Sequence, residues 1–173
     1  KRQQWDILYS TQTGESVSLK SGTIGKINNN PANSEGISGL IMSIEGDRDD
    51  RLNAFEFVSK NTKVEWSLIS FSVGDNKSFW LTNSRSSGDD NIGGSKNDRL
   101  GDYLIEMTTN SYGEHAFVAR IHNHESLDQN PPSPQDRSYA NSFPDANHYI
   151  YFSDQNRFGH VMPGNNFKQI QKG

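Results

Sequence analysis

Residues 121–136 read IHNHESLDQNPPSPQD, and this stretch decides how the fold and the chemistry of the chain are interpreted. His122 and His124 are separated by one residue on a predicted extended segment, so both imidazoles point to the same side and can reach one ion. Asp136 lies at the start of the next predicted helix, where a returning loop can bring its carboxylate to that ion. Two nitrogens and one oxygen leave a fourth position open, as in catalytic zinc sites. The sequence therefore predicts a zinc centre with His122, His124 and Asp136 as ligands.

Ser133, three residues before Asp136, has two interpretations that do not exclude each other. In the first, Ser133 and Asp136 form a capping box with proline at the first helical position. In the second, the Ser133 hydroxyl donates a hydrogen bond to a developing oxyanion. A capping serine can also face a site, so both interpretations stay open. Asp128, in the preceding loop, is the alternative third ligand.

A hydrolytic zinc centre also needs a carboxylate that accepts a proton. Zinc lowers the pKa of a bound water to about 7, and the proton is then passed to the leaving amine. Glu65 is the candidate general base, because a charged residue near the start of the otherwise apolar predicted strand 64–72 calls for a reason. Taken alone, Glu65 is also compatible with an ordinary charge at a strand edge.

Hydrophobic periodicity predicts helices and strands around these residues. Asp49 and Asp50 offer an N-cap for the first helix, and Asp98 offers one for the second. Residues 84–97 are rich in Ser, Gly, Asp and Asn and predict a long loop. The order of elements predicts an α/β (α+β) domain with a mixed sheet flanked by helices. The predicted elements are helix 50–61, strands 64–72 and 78–82, a helix over 98–107, strand 114–121, helix 134–142, and strands 148–152 and 158–162.

The first 49 residues are polar and rich in turn-forming residues. Short alternating pieces at 5–9 and 39–44 are either strands that extend the sheet or parts of a linker from an upstream domain. We therefore divide the chain into a polar N-terminal extension or linker, 1–49, and a domain, 50–173. The chain begins with Lys1 and shows no signal-peptide core, so we expect a fragment, the C-terminal domain of a longer protein.

The composition argues against several classes of partner and excludes sites that are built from cysteine. The formal net charge is -4 and no basic patch supplies phosphate contacts, so we expect no nucleic-acid partner. The absence of cysteine excludes disulfides, thiolate chemistry and cysteine-ligated zinc. No apolar run reaches the length of a transmembrane helix, and we expect no membrane partner. Only 31% of residues are hydrophobic, which predicts a core that is small relative to the loops.

The order of these motifs resembles the JAB/JAMM metalloprotease superfamily. That family has an upstream glutamate, then His-x-His, a loop rich in proline and serine, and Ser-x-x-Asp at the start of a helix. Within it, the chain is most similar to the JAB-like toxin domains at the C-termini of bacterial polymorphic toxins. Those domains also have a short strand of the form Val-Glu-Trp, matched here by residues 64–66, and a helix and strand before His-Asn-His, matched by residues 103–121. The similarity covers roughly residues 50–163.

The resemblance implies a cytidine-deaminase-like fold and a zinc metallopeptidase or isopeptidase that cleaves an amide bond. Its ligands would be His122, His124 and Asp136, with Glu65 as general base and Ser133 as oxyanion donor. It also implies a toxin or effector domain that is secreted or delivered into a target cell. A protein or peptide substrate and a cognate immunity protein would be its partners.

Two features depart from the family's pattern. Glu125 stands after the second histidine, where the family usually has proline. Eleven residues separate His124 from Asp136, one more than is usual in the family. A loop tolerates one additional residue, and Asp136 keeps the Ser-x-x-Asp spacing, so Asp136 is preferred over Asp128.

Two alternatives to the hydrolase come from other functional classes. One is a metal-free JAB-like scaffold that only binds a partner, which we would expect to have lost Glu65 or a histidine. The other is a metal-dependent nuclease toxin, suggested by the letters His-Asn-His. That nuclease label names residues spread along a ββα unit rather than neighbours, and the acidic chain lacks a basic groove.

The other histidines and two of the tryptophans are interpreted structurally. His115, His148 and His160 lie on predicted strands and are expected to be packed or surface residues. Trp66 and Trp80, on adjacent predicted strands, are expected in the core.

Overall fold

The fold is given by a computed structural model that describes residues 4–29, 38–85, 98–124 and 131–170. Three α-helices and ten strands are present in these ranges. The helices are α1 (Arg48–Asn61), α2 (Arg99–Tyr112) and α3 (Pro134–Ser142). The strands are β1 (Trp5–Tyr9), β2 (Ser16–Lys20), β3 (Ile24–Asn29), β4 (Ser38–Ile44), β5 (Trp66–Val73), β6 (Asn76–Arg85), β7 (Phe117–His124), β8 (Asn147–Phe152), β9 (Arg157–Met162) and β10 (Asn166–Ile170).

Eight of the strands form one mixed sheet in the order β10-β9-β8-β7-β5-β6-β4-β3. β7 and β8 are parallel, and the other neighbouring pairs are antiparallel. β1 and β2 form a separate antiparallel pair. α1 and α2 contact β5, and α3 contacts β8 and β9. The predicted α/β (α+β) fold with a mixed sheet flanked by helices is therefore confirmed.

The sheet is buried on both faces around β5, which explains why the sequence of this strand is so apolar. Leu68 packs into one cluster with Phe55 of α1 and Tyr151 of β8. Ile69 points the other way and packs into a second cluster with Ile105 of α2. Trp66 lies in the first cluster and Trp80 packs against the second, as expected for core residues.

Several element boundaries differ from the prediction for local reasons. α1 begins earlier than predicted because Asp47, and neither Asp49 nor Asp50, is the N-cap and accepts the Asp50 N–H. β5 begins at Trp66, so Glu65 precedes the strand on which it was placed. Backbone pairing with β7 ends at Ser67, which leaves Glu65 outside the ladder.

β6 and β7 also differ from their predicted extents. β6 runs to Arg85, into the predicted loop 84–97, and residues 86–97 of that loop lie outside the described residues. A short 3-10 turn, Glu114–Ala116, takes the start of the predicted strand 114–121, so β7 begins at Phe117.

Part of the predicted N-terminal extension belongs to the main sheet. β4 pairs with β6 along its length, and β3 pairs with β4 at the sheet edge. Met42 and Ile44 of β4 are buried in the first core cluster. Of the two predicted pieces, 39–44 is therefore part of a strand that extends the main sheet, whereas 5–9 is β1 of the separate pair. The division of the chain at residue 50 stays a prediction.

None of the helices in the described part of the chain combines the length and the apolar composition that crossing a bilayer requires.

Candidate metal centre

The two candidate histidine ligands lie at the end of β7, in the middle of the sheet. His122 pairs with Ser67 of β5 on one side and with Ile150 of β8 on the other. Because side chains alternate along a strand, His122 and His124 share one face. Their ring centroids are 5.0 Å apart, the His122 side chain is buried and that of His124 is half-buried. The rigid centre of the sheet therefore presents both imidazoles together.

Asp136 reaches the histidines from the first turn of α3. Its Oδ1 lies 3.0 Å from Nε2 of His122, and its Oδ2 lies 3.6 Å from Nε2 of His124. One ligand atom from each of the three residues lies within 4.8 Å of the others. The predicted His122-His124-Asp136 group is thus assembled, and it could bind a metal ion.

Ser133 orients the Asp136 carboxylate through a complete capping box. The Ser133 N–H donates to Oδ2 of Asp136 at 2.6 Å, and the Asp136 N–H donates to the Ser133 hydroxyl at 3.1 Å. The predicted capping box is therefore confirmed. These two bonds use the Ser133 hydroxyl only as an acceptor, so its proton is not consumed by capping. The oxyanion interpretation is compatible with this geometry and stays a prediction.

The three side chains fit a divalent metal by their chemistry and by one orphaned atom. Nε2 of His122 is buried and makes no hydrogen bond with any described residue, although it is close to Asp136. A buried imidazole nitrogen without a hydrogen bond costs free energy, whereas a metal ion would satisfy it. Two imidazole nitrogens and one carboxylate oxygen are ligands that zinc takes in catalytic sites.

His122 and Asp136 each favour the charged form of the other side chain. Burial lowers the pKa of His122, but the carboxylates of Asp136 and Glu65 together raise that pKa above its usual value. Burial raises the pKa of Asp136, but His122, the Ser133 N–H and His124 together hold the pKa of this carboxyl well below its usual range. The aspartate is therefore in the form that a metal ligand needs, whereas His122 would have to release a proton when a metal binds.

Glu65 lies beside this group, just before β5. Its Oε1 accepts a hydrogen bond of 3.1 Å from the backbone N–H of Asp98, the N-cap residue of α2. Burial raises the pKa of Glu65, and the nearby His122 and Arg120 only partly counteract this. Glu65 also lines the same cavity as the histidines.

One cavity of about 890 Å³ connects the candidate residues. All five of them line it: Glu65, His122, His124, Ser133 and Asp136. The lining also includes Lys60 and Lys63, near the end of α1, and Asp154, after β8. The five residues come from different parts of the chain, so their convergence on one cavity is a tertiary feature. A cavity with a few converging polar groups is the usual form of a binding or active site.

A buried ionic network lies beneath the site and was not predicted from the sequence. Arg120, two residues before His122, donates hydrogen bonds to Ser67 and to the Asp98 carbonyl and forms an ion pair with Asp102. Asp98 is itself buried and accepts hydrogen bonds from the hydroxyls of Thr82 and Ser84. Arg120 has the same strand parity as His122 and His124, and this was the available signal that it faces the same side.

The remaining histidines are packed or surface residues, as predicted. His148 is buried, and its Nε2 lies 3.0 Å from the Phe143 carbonyl. His160 stacks on Tyr149 with ring centroids 4.8 Å apart, and His115 is exposed. Asp128, the alternative third ligand, and Glu125 lie outside the described residues.

Comparison with known proteins adds one finding. A family model described as JAB-like toxin 1 matches residues 43–148, more than half of the chain. This range contains all five candidate residues and starts within β4. Searches of curated proteins and of solved structures found no match.

Proposed function

The chain belongs to the JAB-like toxin 1 family, and on that premise we propose that it is a zinc-dependent hydrolase of an amide bond. The observation that carries the proposal is the convergence of His122, His124 and Asp136 within 4.8 Å in the cavity that Glu65 also lines. The domain is a toxin domain of the JAB fold. The proposed activity is that of a metallopeptidase or isopeptidase.

Each residue has a distinct role in the proposed reaction. His122, His124 and Asp136 would hold zinc, which when bound supplies Lewis-acid activation of a water molecule and of the amide carbonyl. The Glu65 carboxylate accepts a proton from the attacking water and delivers it to the leaving amine. The Ser133 hydroxyl donates a hydrogen bond to the carbonyl oxygen as it gains negative charge.

A protein or peptide is the proposed substrate, because the reaction that we propose is the hydrolysis of an amide bond. We propose that the domain acts as an effector inside a target cell and that a cognate immunity protein covers it in the producing cell. The scaffold alternative gains no support, since all five positions of the motif keep the residues that the proposed reaction needs. The nuclease alternative is disfavoured by the formal net charge of -4.

One zinc ion per chain is the result expected from elemental analysis after zinc reconstitution. His122→Ala is expected to lose the metal and the activity together, because it removes a ligand from the centre of the sheet. His160→Ala is the matched control, since His160 does not line the cavity and should leave zinc content unchanged. Absence of divalent metal after reconstitution, or equal zinc loss in both variants, would contradict the proposed centre.

Ser133→Ala is expected to keep zinc and to reduce turnover by roughly 10²- to 10³-fold, as for loss of an oxyanion donor. Zinc is kept because the Ser133 backbone N–H still orients the Asp136 carboxylate. The lost cap should cost about 1 kcal/mol of stability. Growth inhibition on expression in a host cell, melting temperature and zinc content measure the three effects.

Asp47→Ala is the control for the lost cap, because Asp47 is the N-cap of α1 and does not line the cavity. If Ser133→Ala loses stability but stays as toxic as the wild type, Ser133 is a cap and nothing more.

A further inference from the structure

The Asn123 side chain, between the two histidines, joins β7 to the segment that carries Glu65. Its Oδ1 accepts a hydrogen bond of 2.6 Å from the Trp66 N–H, and its Nδ2 donates one of 3.2 Å to the Val64 carbonyl. Val64 and Trp66 are the immediate neighbours of Glu65 in the chain. One side-chain amide therefore holds the backbone on both sides of Glu65.

This amide continues a backbone ladder that stops short of Glu65. The antiparallel register between β5 and β7 ends at the pair Ser67–His122. A primary amide presents one acceptor and two donors, so it offers the same acceptor and donor as a peptide group of the ladder. Trp66 is buried, and its N–H would be costly to leave unpaired.

Two further contacts restrain Glu65 from other elements. The Asn83 side chain of β6 donates to the Glu65 carbonyl at 3.0 Å. The Asp98 N–H at the start of α2 donates to the Glu65 carboxylate at 3.1 Å. With Asn123 on β7, the segment is held from three directions, and the carboxylate has a defined position in the cavity.

We propose that Asn123 is a positioning residue that holds Glu65 beside the metal-binding group. The inference rests on the proposed function, because it requires Glu65 to handle the proton. Residues 122–124 of β7 then supply two ligands and, through the amide between them, fix the position of the base. Asparagine is specifically suited: aspartate has no donor for the Val64 carbonyl, and alanine has neither donor nor acceptor.

The test compares Asn123→Ala and Asn123→Asp with Glu65→Gln and a control, Asn61→Ala. Asn61 also makes two side-chain hydrogen bonds, to Phe57 and Thr13, but it does not line the cavity. Four properties are measured: zinc content, the visible spectrum of the Co²⁺-substituted protein, hydrogen exchange of the Trp66 amide, and growth inhibition in a host cell at matched expression.

Asn123→Ala is expected to keep one metal ion and an unchanged Co²⁺ spectrum while the Trp66 amide loses its protection. The protein level needed for half-maximal growth inhibition should rise by roughly 10²-fold, the size of effect caused by a displacement of about 1 Å at a reacting group. Asn123→Asp keeps the acceptor for Trp66 and should fall between Asn123→Ala and the wild type. Asn61→Ala should inhibit growth as the wild type does.

The outcomes separate this inference from the proposed function. Full toxicity of Glu65→Gln would refute the proposed function. Loss of toxicity in Glu65→Gln together with full toxicity of metal-loaded Asn123→Ala would refute only the positioning role. Metal loss or a changed Co²⁺ spectrum in Asn123→Ala would place the effect on the ligands and overturn the inference. The inference would also be overturned if both Asn123 variants failed to fold while Asn61→Ala folded, because the role of Asn123 would then be structural.

Discussion

Glu65→Gln is expected to lower hydrolytic turnover by about 10²- to 10⁴-fold, the usual effect of losing a general base, and to leave zinc bound. The glutamine keeps the length of the side chain, and its carbonyl oxygen can still accept the Asp98 N–H. It cannot accept a proton from the attacking water. Toxicity on expression should therefore be lost, while zinc content and melting temperature stay as in the wild type.

The control for this substitution is Glu56→Gln on α1. Glu56 is also a buried glutamate, but it does not line the cavity. The same chemical change there should leave toxicity unchanged. If Glu65→Gln remains as toxic as the wild type, Glu65 is not the general base and the hydrolase proposal fails with it.

Arg120→Met is expected to destabilise the fold by about 3–5 kcal/mol, the usual cost of removing one partner from a buried ion pair. The Arg120 side chain is only 9% exposed, and it lies against Asp102 and the fully buried side chain of Asp98. Methionine fills similar space but leaves the two carboxylates without their cation. Chemical denaturation, with the midpoint and the slope compared to the wild type, measures the loss.

The control breaks an ion pair of similar length at the surface. Lys20 and Asp47 are 2.7 Å apart, and both side chains are more than half exposed. Lys20 also lies 3.6 Å from the less exposed Asp50 carboxylate. Lys20→Met should cause a much smaller loss, because solvent screens exposed pairs. Adding Asp102→Asn to Arg120→Met removes one of the unpaired charges and should recover part of the stability. Equal losses of unfolding free energy in Arg120→Met and Lys20→Met would show that burial does not determine how much this network contributes to stability.

Local interactions made several features of the site predictable. The period of two along β7 places His122 and His124 on one face whatever surrounds the strand. Ser133 and Asp136 are three residues apart, and a capping box is formed within one turn of helix. The helix and strand order likewise follows from hydrophobic periodicity, which is why the mixed α/β fold could be predicted.

Glu65 shows where local reasoning ends. Its position beside the histidines depends on the pairing of β5 with β7, two strands that are far apart in the chain. Its charge near the start of an otherwise apolar predicted strand singled it out, and the resemblance to a family supported that choice. The strand boundary was wrong by two residues at this point, because the Asn123 amide takes the place of the backbone pairing that a period-two pattern assumes.

The sequence by itself determined most of the elements between residues 50 and 162, the parity of the two histidines and the helix-capping serine and aspartate, since each depends on neighbours within a few residues. Strands β2, β3 and β10 were not predicted. Only the tertiary structure brought Asp136 to within 3.0 Å of His122 and enclosed Arg120 between Asp98 and Asp102. The same holds for the amide of Asn123, which lies against the segment of Glu65. These contacts join strands and helices across the sheet, and their energy comes from burial and from charges that meet only after the chain has folded.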